Sequence, residues 1–314
     1  MKSFQFPHVV CLRPLTAQLL VSFMLVACTR PGSADQKLWD EVSGDKAFAH
    51  VRQLVDFGPR PPGSEALEKS RAYIEKRLHE YGWDVTRQSF TDETPRGKMV
   101  FVNLIARFHP TKDASKTAPV FLLCSHYDTK IFDNIRFVGA NDGGSSTGLL
   151  IEVARVLAQR PALAAKIELV FFDGEEAVEE FTDRDGLYGS RYFAAELRKT
   201  NTAHQFRGGI LFDMVGDKSL DVTLPMDSPP DIARGIFASA DVLKCRDHFT
   251  YFDHGSITDD HTPLNESGIP TIDLIDFDFP AWHTAGDTLD KISPESLRTV
   301  GRVAIYYLSE FQPK

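Results

Sequence analysis

The chain has 314 residues, 42% of them hydrophobic, enough to bury a full core, and strand–helix alternation along its length argues for one large α/β domain over two small ones. A formal charge of −9 with no basic run excludes a nucleic-acid groove. Four cysteines without cluster spacing exclude a closed structural metal site built on thiolates.

The first 28 residues read as a targeting element rather than as part of the fold. Lys2 and Arg13 flank a short front region, and Leu19-Leu20-Val21-Ser22-Phe23-Met24-Leu25-Val26-Ala27 is too short to span a bilayer. Leu25-Val26-Ala27-Cys28 resembles the bacterial lipoprotein cleavage box. That implies export to a bacterial cell envelope, with membrane attachment only through a lipid on Cys28; ordinary cleavage beside an incidental Cys is the plainer alternative. Residues 29–44, with Pro31, Gly32 and Ser33, read as a flexible tether, and 45–314 as the folded domain.

Residues 45–57 and 64–81 carry helical spacing, through Phe48, Val51, Leu54 and Val55 and then Leu67, Tyr73, Ile74 and Leu78. The run Gly58-Pro59-Arg60-Pro61-Pro62-Gly63 separates them, with Ser64 as a helix start and Gly82 as a stop. Residues 84–91 and 99–108 alternate as an antiparallel strand pair around a turn at Pro95-Arg96-Gly97. A continuous apolar strand over 119–125 is followed by a loop and then a helix with Leu149, Leu150, Val153, Ala154 and Leu157 on one face. Further strands are expected at 167–173, 209–216 and 271–275, and helices at 188–199, 232–242, 260–268 and 294–311. The expected architecture is therefore an α/β domain with a central mixed, mostly parallel sheet flanked by helices. Cys124 in an apolar strand reads as a core residue, and nothing in the spacing joins it to Cys245.

The stretch Phe171-Phe172-Asp173-Gly174-Glu175-Glu176-Ala177 runs a buried strand into a turn bearing two adjacent carboxylates, at the strand end where open α/β sheets hold ligands. Neighbouring side chains there point different ways, so one Glu can bind a metal while the other carries a proton. His126, Asp142, Asp213 and His283 also fall at or after strand ends. Each alone has a bland reading, as a helix cap or a satisfied imidazole. Together with Glu176, their oxygen and nitrogen donors suit a zinc-like ion with an open coordination position. Asp128, two residues after His126, is placed to orient that imidazole.

His126-Tyr127-Asp128, Asn141-Asp142-Gly143, Gly174-Glu175-Glu176, Asp213 and His283 resemble, in order, the zinc-dependent aminopeptidase superfamily. Phe137-Val138-Gly139-Ala140, Leu187-Tyr188-Gly189-Ser190-Arg191, Asp259-Asp260-His261-Thr262-Pro263 and Phe279-Pro280-Ala281-Trp282-His283-Thr284 narrow the resemblance to its glutaminyl-peptide cyclotransferase branch. The likeness covers residues 45–312. It implies Asp142, Glu176 and His283 around one catalytic zinc, Glu175 as proton shuttle, and Asp213 with Asp259 as a supporting acid pair. It also implies a substrate pocket walled by Trp282, Phe279 and Phe181, and peptide or protein N-termini as substrates. In the peptidase relatives, positions matching His126 and Asp213 bind a second zinc through the carboxylate matching Asp142, and all five ligand types are present. One zinc is expected, with residues for a second in place. An exported zinc aminopeptidase that removes N-terminal residues is accordingly the alternative. Two departures stand out: Phe181 occupies a place where the cyclase pattern has Trp, and Asp273 stands near a His of the animal cyclases.

Overall fold

The computed structural model describes residues 1–5, 37–108 and 120–311. The folded unit is Lys37–Lys314. The leader core, Cys28 and residues 29–36 of the expected tether lie outside the described residues. The rest of that tether belongs to the folded unit: Leu38–Glu41 forms a 3-10 turn, Leu38 and Val42 are buried in the core, and Trp39 packs edge-on against Tyr306 at 4.5 Å. The apolar side chains at 38, 39 and 42 explain why those residues fold instead of dangling.

Helix α1 (Gly44–Phe57) is capped by the Ser43 side chain, which accepts from the Lys46 amide, and α2 (Glu65–Glu80) by Ser64, which accepts from Leu67. Strands β1 (Trp83–Thr94) and β2 (Gly97–Phe108) form the expected hairpin, with Thr94 opposite Gly97. Then follow β3 (Phe121–His126), α3 (Gly144–Leu157), the short α4 (Pro161–Ala164), β4 (Ile167–Phe172), α5 (Tyr188–Lys199) and β5 (Gly208–Asp213). The remainder is β6 (Val222–Leu224), α6 (Pro230–Val242), β7 (Phe249–Tyr251), α7 (His261–Glu266), β8 (Thr271–Ile275) and α8 (Pro294–Glu310).

These strands make one sheet in the order β1-β2-β4-β3-β5-β8-β6-β7. The four central strands, β4, β3, β5 and β8, run parallel, and β2 and β6 join antiparallel on either side. Every residue of the central four is buried, as expected of strands covered on both faces. Their side chains alternate between two cores. Leu123, Leu169, Ile210 and Ile272 face the larger core, packed under α1, α2, α3, α6 and α8, while Leu122, Cys124, Val170 and Leu211 face a smaller one under α5 and α7. Cys124 and Cys245 are both free thiols.

Helices α1 and α3 approach closely because Gly148 has no side chain: a Cβ there would lie 2.6 Å from Val51 Cγ2 and 2.9 Å from the Ala47 carbonyl oxygen. A Gly148→Ala variant is expected to lose about 1–3 kcal/mol of stability through overpacking, read by denaturant unfolding. No loss in that measurement would show that the helix pair yields easily.

Candidate metal centre

Because β3, β4, β5 and β8 run parallel, their carboxyl ends lie along one sheet edge, and the chain delivers its polar residues there. His126 is the last residue of β3 and Asp213 the last of β5. After β4 the backbone turns at Gly174, with φ of +72°, where a Cβ would sit 2.5 Å from the Phe101 ring. That turn presents Glu175 and Glu176. Asp142 lies just ahead of α3, beside Gly143, whose φ is +69° and whose added Cβ would stand 2.9 Å from His126 Cε1. His283 follows β8 in a loop and has a φ of +53°.

The expected ligands converge on Asp142. Its Oδ1 is 3.3 Å from His126 Nε2, and its Oδ2 is 3.4 Å from His283 Nε2. Glu176 Oε2 lies 3.2 Å from His283 Nε2, and Asp213 Oδ1 lies 3.1 Å from His126 Nε2. Two triads therefore share one carboxylate: Asp142, Glu176 and His283, and His126, Asp142 and Asp213, the ligand atoms of each within 4.8 Å of one another. Asp128 Oδ1 is 3.5 Å from His126 Nδ1, and the Asp128 carboxylate also accepts from the amides of Glu175 at 3.2 Å and Glu176 at 3.4 Å. It thus orients one imidazole and the paired-glutamate turn together.

The electrostatics call for positive charge at this point. Burial opposes ionisation of Asp142, but the two imidazoles overcome it and hold the carboxyl well below its usual range. Burial likewise works against protonating His283, yet Asp142 and Glu176 raise it to about 10; His126 is raised well above its ordinary value against the same penalty. Burial and the neighbouring Asp142 push Glu176 up to about 7. Asp142 Oδ2 is buried without a hydrogen-bond donor. A divalent cation would meet that demand with both imidazoles neutral, and oxygen plus nitrogen donors fit zinc.

A second group of acids adjoins the ligands. Burial first, then the charge of Asp259, raises Glu175 well above a normal carboxyl. Burial takes Asp213 up to about 7 and Asp259 up to about 6. Asp273, on β8, is raised by burial and by Asp259, and its Oδ2 lies 3.5 Å from His261 Nδ1. With so many buried carboxyls of like charge, each opposes the ionisation of its neighbours.

Asp142, Glu175, Glu176, Asp213, Asp259 and His283 line a cavity of about 520 Å³. Phe181 and Trp282 flank it and remain 48% and 41% exposed, and Trp282 stacks on His283 with ring centroids 4.3 Å apart. The loop carrying Phe181 is held by Asp185, whose carboxylate accepts from the amides of Val178, Glu179 and Glu180 at 2.7, 2.9 and 3.1 Å. Phe279 does not join the cavity wall. It is 4% exposed and packs with Met214, Phe252, Ile257 and Ile275, and Phe277 lines the cavity instead. Residues beyond Ile275 have left the strand, so the sequence pattern no longer tells which ring faces inward. Sequence reasoning also gave no role to Arg71, buried behind the paired-glutamate turn, where its Nη2 donates to Asp173 at 2.7 Å and its Nε to the Tyr127 hydroxyl at 2.7 Å. A helical Arg carries no signal of such a partner.

A mixed sheet whose parallel strand ends gather two imidazoles and two further carboxylates around one shared Asp defines a metal-dependent α/β enzyme built like a zinc exopeptidase. The chain belongs to peptidase family M28, whose model matches residues 103–308. A glutaminyl-peptide cyclotransferase-like protein from Bos taurus is 30% identical over 283 residues, covering 80% of this chain and 72% of its own. Among solved structures, a glutaminyl cyclase from an Acidobacteriales bacterium superposes with a TM-score of 0.76 at 33% identity, covering 85% of this chain and 94% of its own. A Zn-dependent exopeptidase from Parabacteroides distasonis gives a TM-score of 0.76 at 28% identity, covering 86% and 98%.

Proposed function

We propose that the chain is a zinc-dependent glutaminyl-peptide cyclotransferase, which closes an N-terminal Gln of a peptide or protein to pyroglutamate and releases ammonia. The α-amine nitrogen forms a bond to the side-chain amide carbon, and the bond from that carbon to the amide nitrogen breaks. Asp142, Glu176 and His283 would hold one zinc. When bound, the metal supplies a Lewis acid that polarises the amide oxygen and stabilises the charge that develops on it. Glu175 takes a proton from the attacking amine and returns one to the departing nitrogen. Asp213 and Asp259 form an acid pair beside it, one of the two keeping a proton because like charges repel, and hydrogen-bond the leaving amide. Trp282, Phe181 and Phe277 confine the glutamyl chain so that its ends meet.

The observation that carries this reading is the acid group around Glu175. The carboxyl that must pick up and hand on a proton is half-buried, raised, and more strongly influenced by the charge of Asp259 than by any other. The cyclotransferase name of the Bos taurus relative agrees with it. The rival, a two-zinc aminopeptidase with water activated by Glu175, is favoured by the completeness of the His126, Asp142 and Asp213 triad. Mass spectrometry of Gln-X dipeptides incubated with zinc-loaded protein separates the two. Cyclisation leaves the peptide whole less ammonia, whereas hydrolysis liberates the first residue. Zinc content near one ion per chain accompanies the first outcome, and two ions the second.

We further propose export and anchoring through an acylated Cys28. No helix among the described residues is long and apolar enough to cross a membrane. Metabolic labelling with palmitate in a bacterial host is expected to mark the parent chain and not a Cys28→Ser variant; equal labelling would remove the anchor.

A further inference from the structure

The break between α1 and α2 has no part in the chemistry above, yet it carries Arg60, whose side chain is fully buried. A buried guanidinium must satisfy its donors and find an anion, because an unpaired one is strongly destabilising. Arg60 Nε donates to the Tyr127 carbonyl at 3.1 Å, Nη1 to Val138 at 2.7 Å and Nη2 to Gly139 at 2.9 Å. All three carbonyls lie on the connection from His126 to Asp142, which has no helix or strand of its own. The Arg60 amide donates to Thr129 Oγ1 at 2.9 Å, and the Thr129 amide returns a bond to the Arg60 carbonyl at 3.1 Å.

The far end of that connection is gripped from another direction. Asp287 is buried, and its Oδ1 and Oδ2 accept from the amides of Asn141 at 2.7 Å and Asp142 at 3.0 Å. Its own amide donates to the Thr284 carbonyl at 3.2 Å, which ties it to the loop of His283. The Asp287 carboxylate, 145 residues from Asp142 in sequence, therefore joins the segment of one candidate ligand to that of another. Of the carboxylates around Arg60, Asp287 acts on it most strongly.

We propose that Arg60 and Asp287 are positioning residues for the metal, two buried side chains whose hydrogen bonds grip the 127–142 connection from separate directions so that Asp142 reaches both imidazoles. A bland loop-filling role would need no link to the peptide of a ligand, and Asp287 makes that link directly. The inference rests on zinc binding at Asp142, Glu176 and His283; a parent protein that fails to bind zinc would defeat that reading, whereas the variants below defeat only this one.

The test compares the parent with Asp287→Asn and Arg60→Lys. The first keeps the shape of the side chain and loses its charge and one acceptor; the second keeps the charge and loses the fork. Zinc affinity is measured against a competing chelator, with the ligand-field spectrum of the cobalt(II)-loaded protein and the melting of the metal-free protein alongside. Both variants are expected to bind zinc about 10–100-fold more weakly, with an altered cobalt spectrum. At saturating zinc, KM for a Gln-initiated peptide is expected to stay within about twofold while kcat falls, as the substrate walls are untouched. Parent-like zinc affinity and cobalt spectrum in folded variants would overturn the proposal. If Asp287→Asn does not fold, Arg60→Lys decides it on the same two measurements.

Discussion

In a Glu175→Gln variant, turnover of a Gln-initiated peptide falls by about 10³-fold or more while zinc remains bound, since removing a positioned proton carrier costs about 10²–10⁴ in rate. The two effects separate because Glu175 belongs to neither triad of candidate ligands. The amide side chain has the shape of the carboxyl, and the backbone N–H of residue 175 keeps its bond to Asp128. Burial of the Gln is also tolerated, because it removes a carboxyl from a crowd of like groups. Steady-state kinetics, with zinc content measured on the same sample, check the outcome. Activity within tenfold of the parent would take Glu175 out of its role, and lost zinc would make it a ligand.

Much of this arrangement could be read from the chain because its signals are local. The last apolar strand at 271–275 and the helix at 188–199 fall where their side-chain spacing places them. The ligand candidates were recognisable because each sits at a strand end or on the connection that follows one, and a parallel sheet brings those ends together. What escaped notice is what depends on distant partners. β6 and β7 have three residues each, too few for a periodic signal, and β6 joins the sheet through a single pair, Thr223 with Ile275. Phe277 and Phe279 are two apart, and only the path of the chain after β8 decides which one meets the cavity. Arg60 and Asp287 gave no hint, because the carbonyls and amides they bind belong to the backbone and leave no mark in residue type.

Substituting Asp142 by Ala is expected to remove zinc almost wholly and activity with it, since among the described residues this is the one carboxylate within reach of both imidazoles. Structural zinc sites are worth about 10–16 kcal/mol; on that scale losing one of three ligands takes roughly a third, about 3–5 kcal/mol, or about 10²–10⁴ in affinity. The metal-free fold should survive, because each imidazole keeps another partner, His126 with Asp213 and Asp128, His283 with Glu176. The comparison with His126→Ala makes the experiment sharper. If a single ion sits between Asp142, Glu176 and His283, the His126 variant retains one zinc per chain and loses only the lateral support of Asp142. If two ions share Asp142, it loses one of two. Equilibrium zinc binding, with a melt of each metal-free variant, distinguishes these results, and undiminished affinity in Asp142→Ala would end the case for a shared carboxylate at the centre of the site.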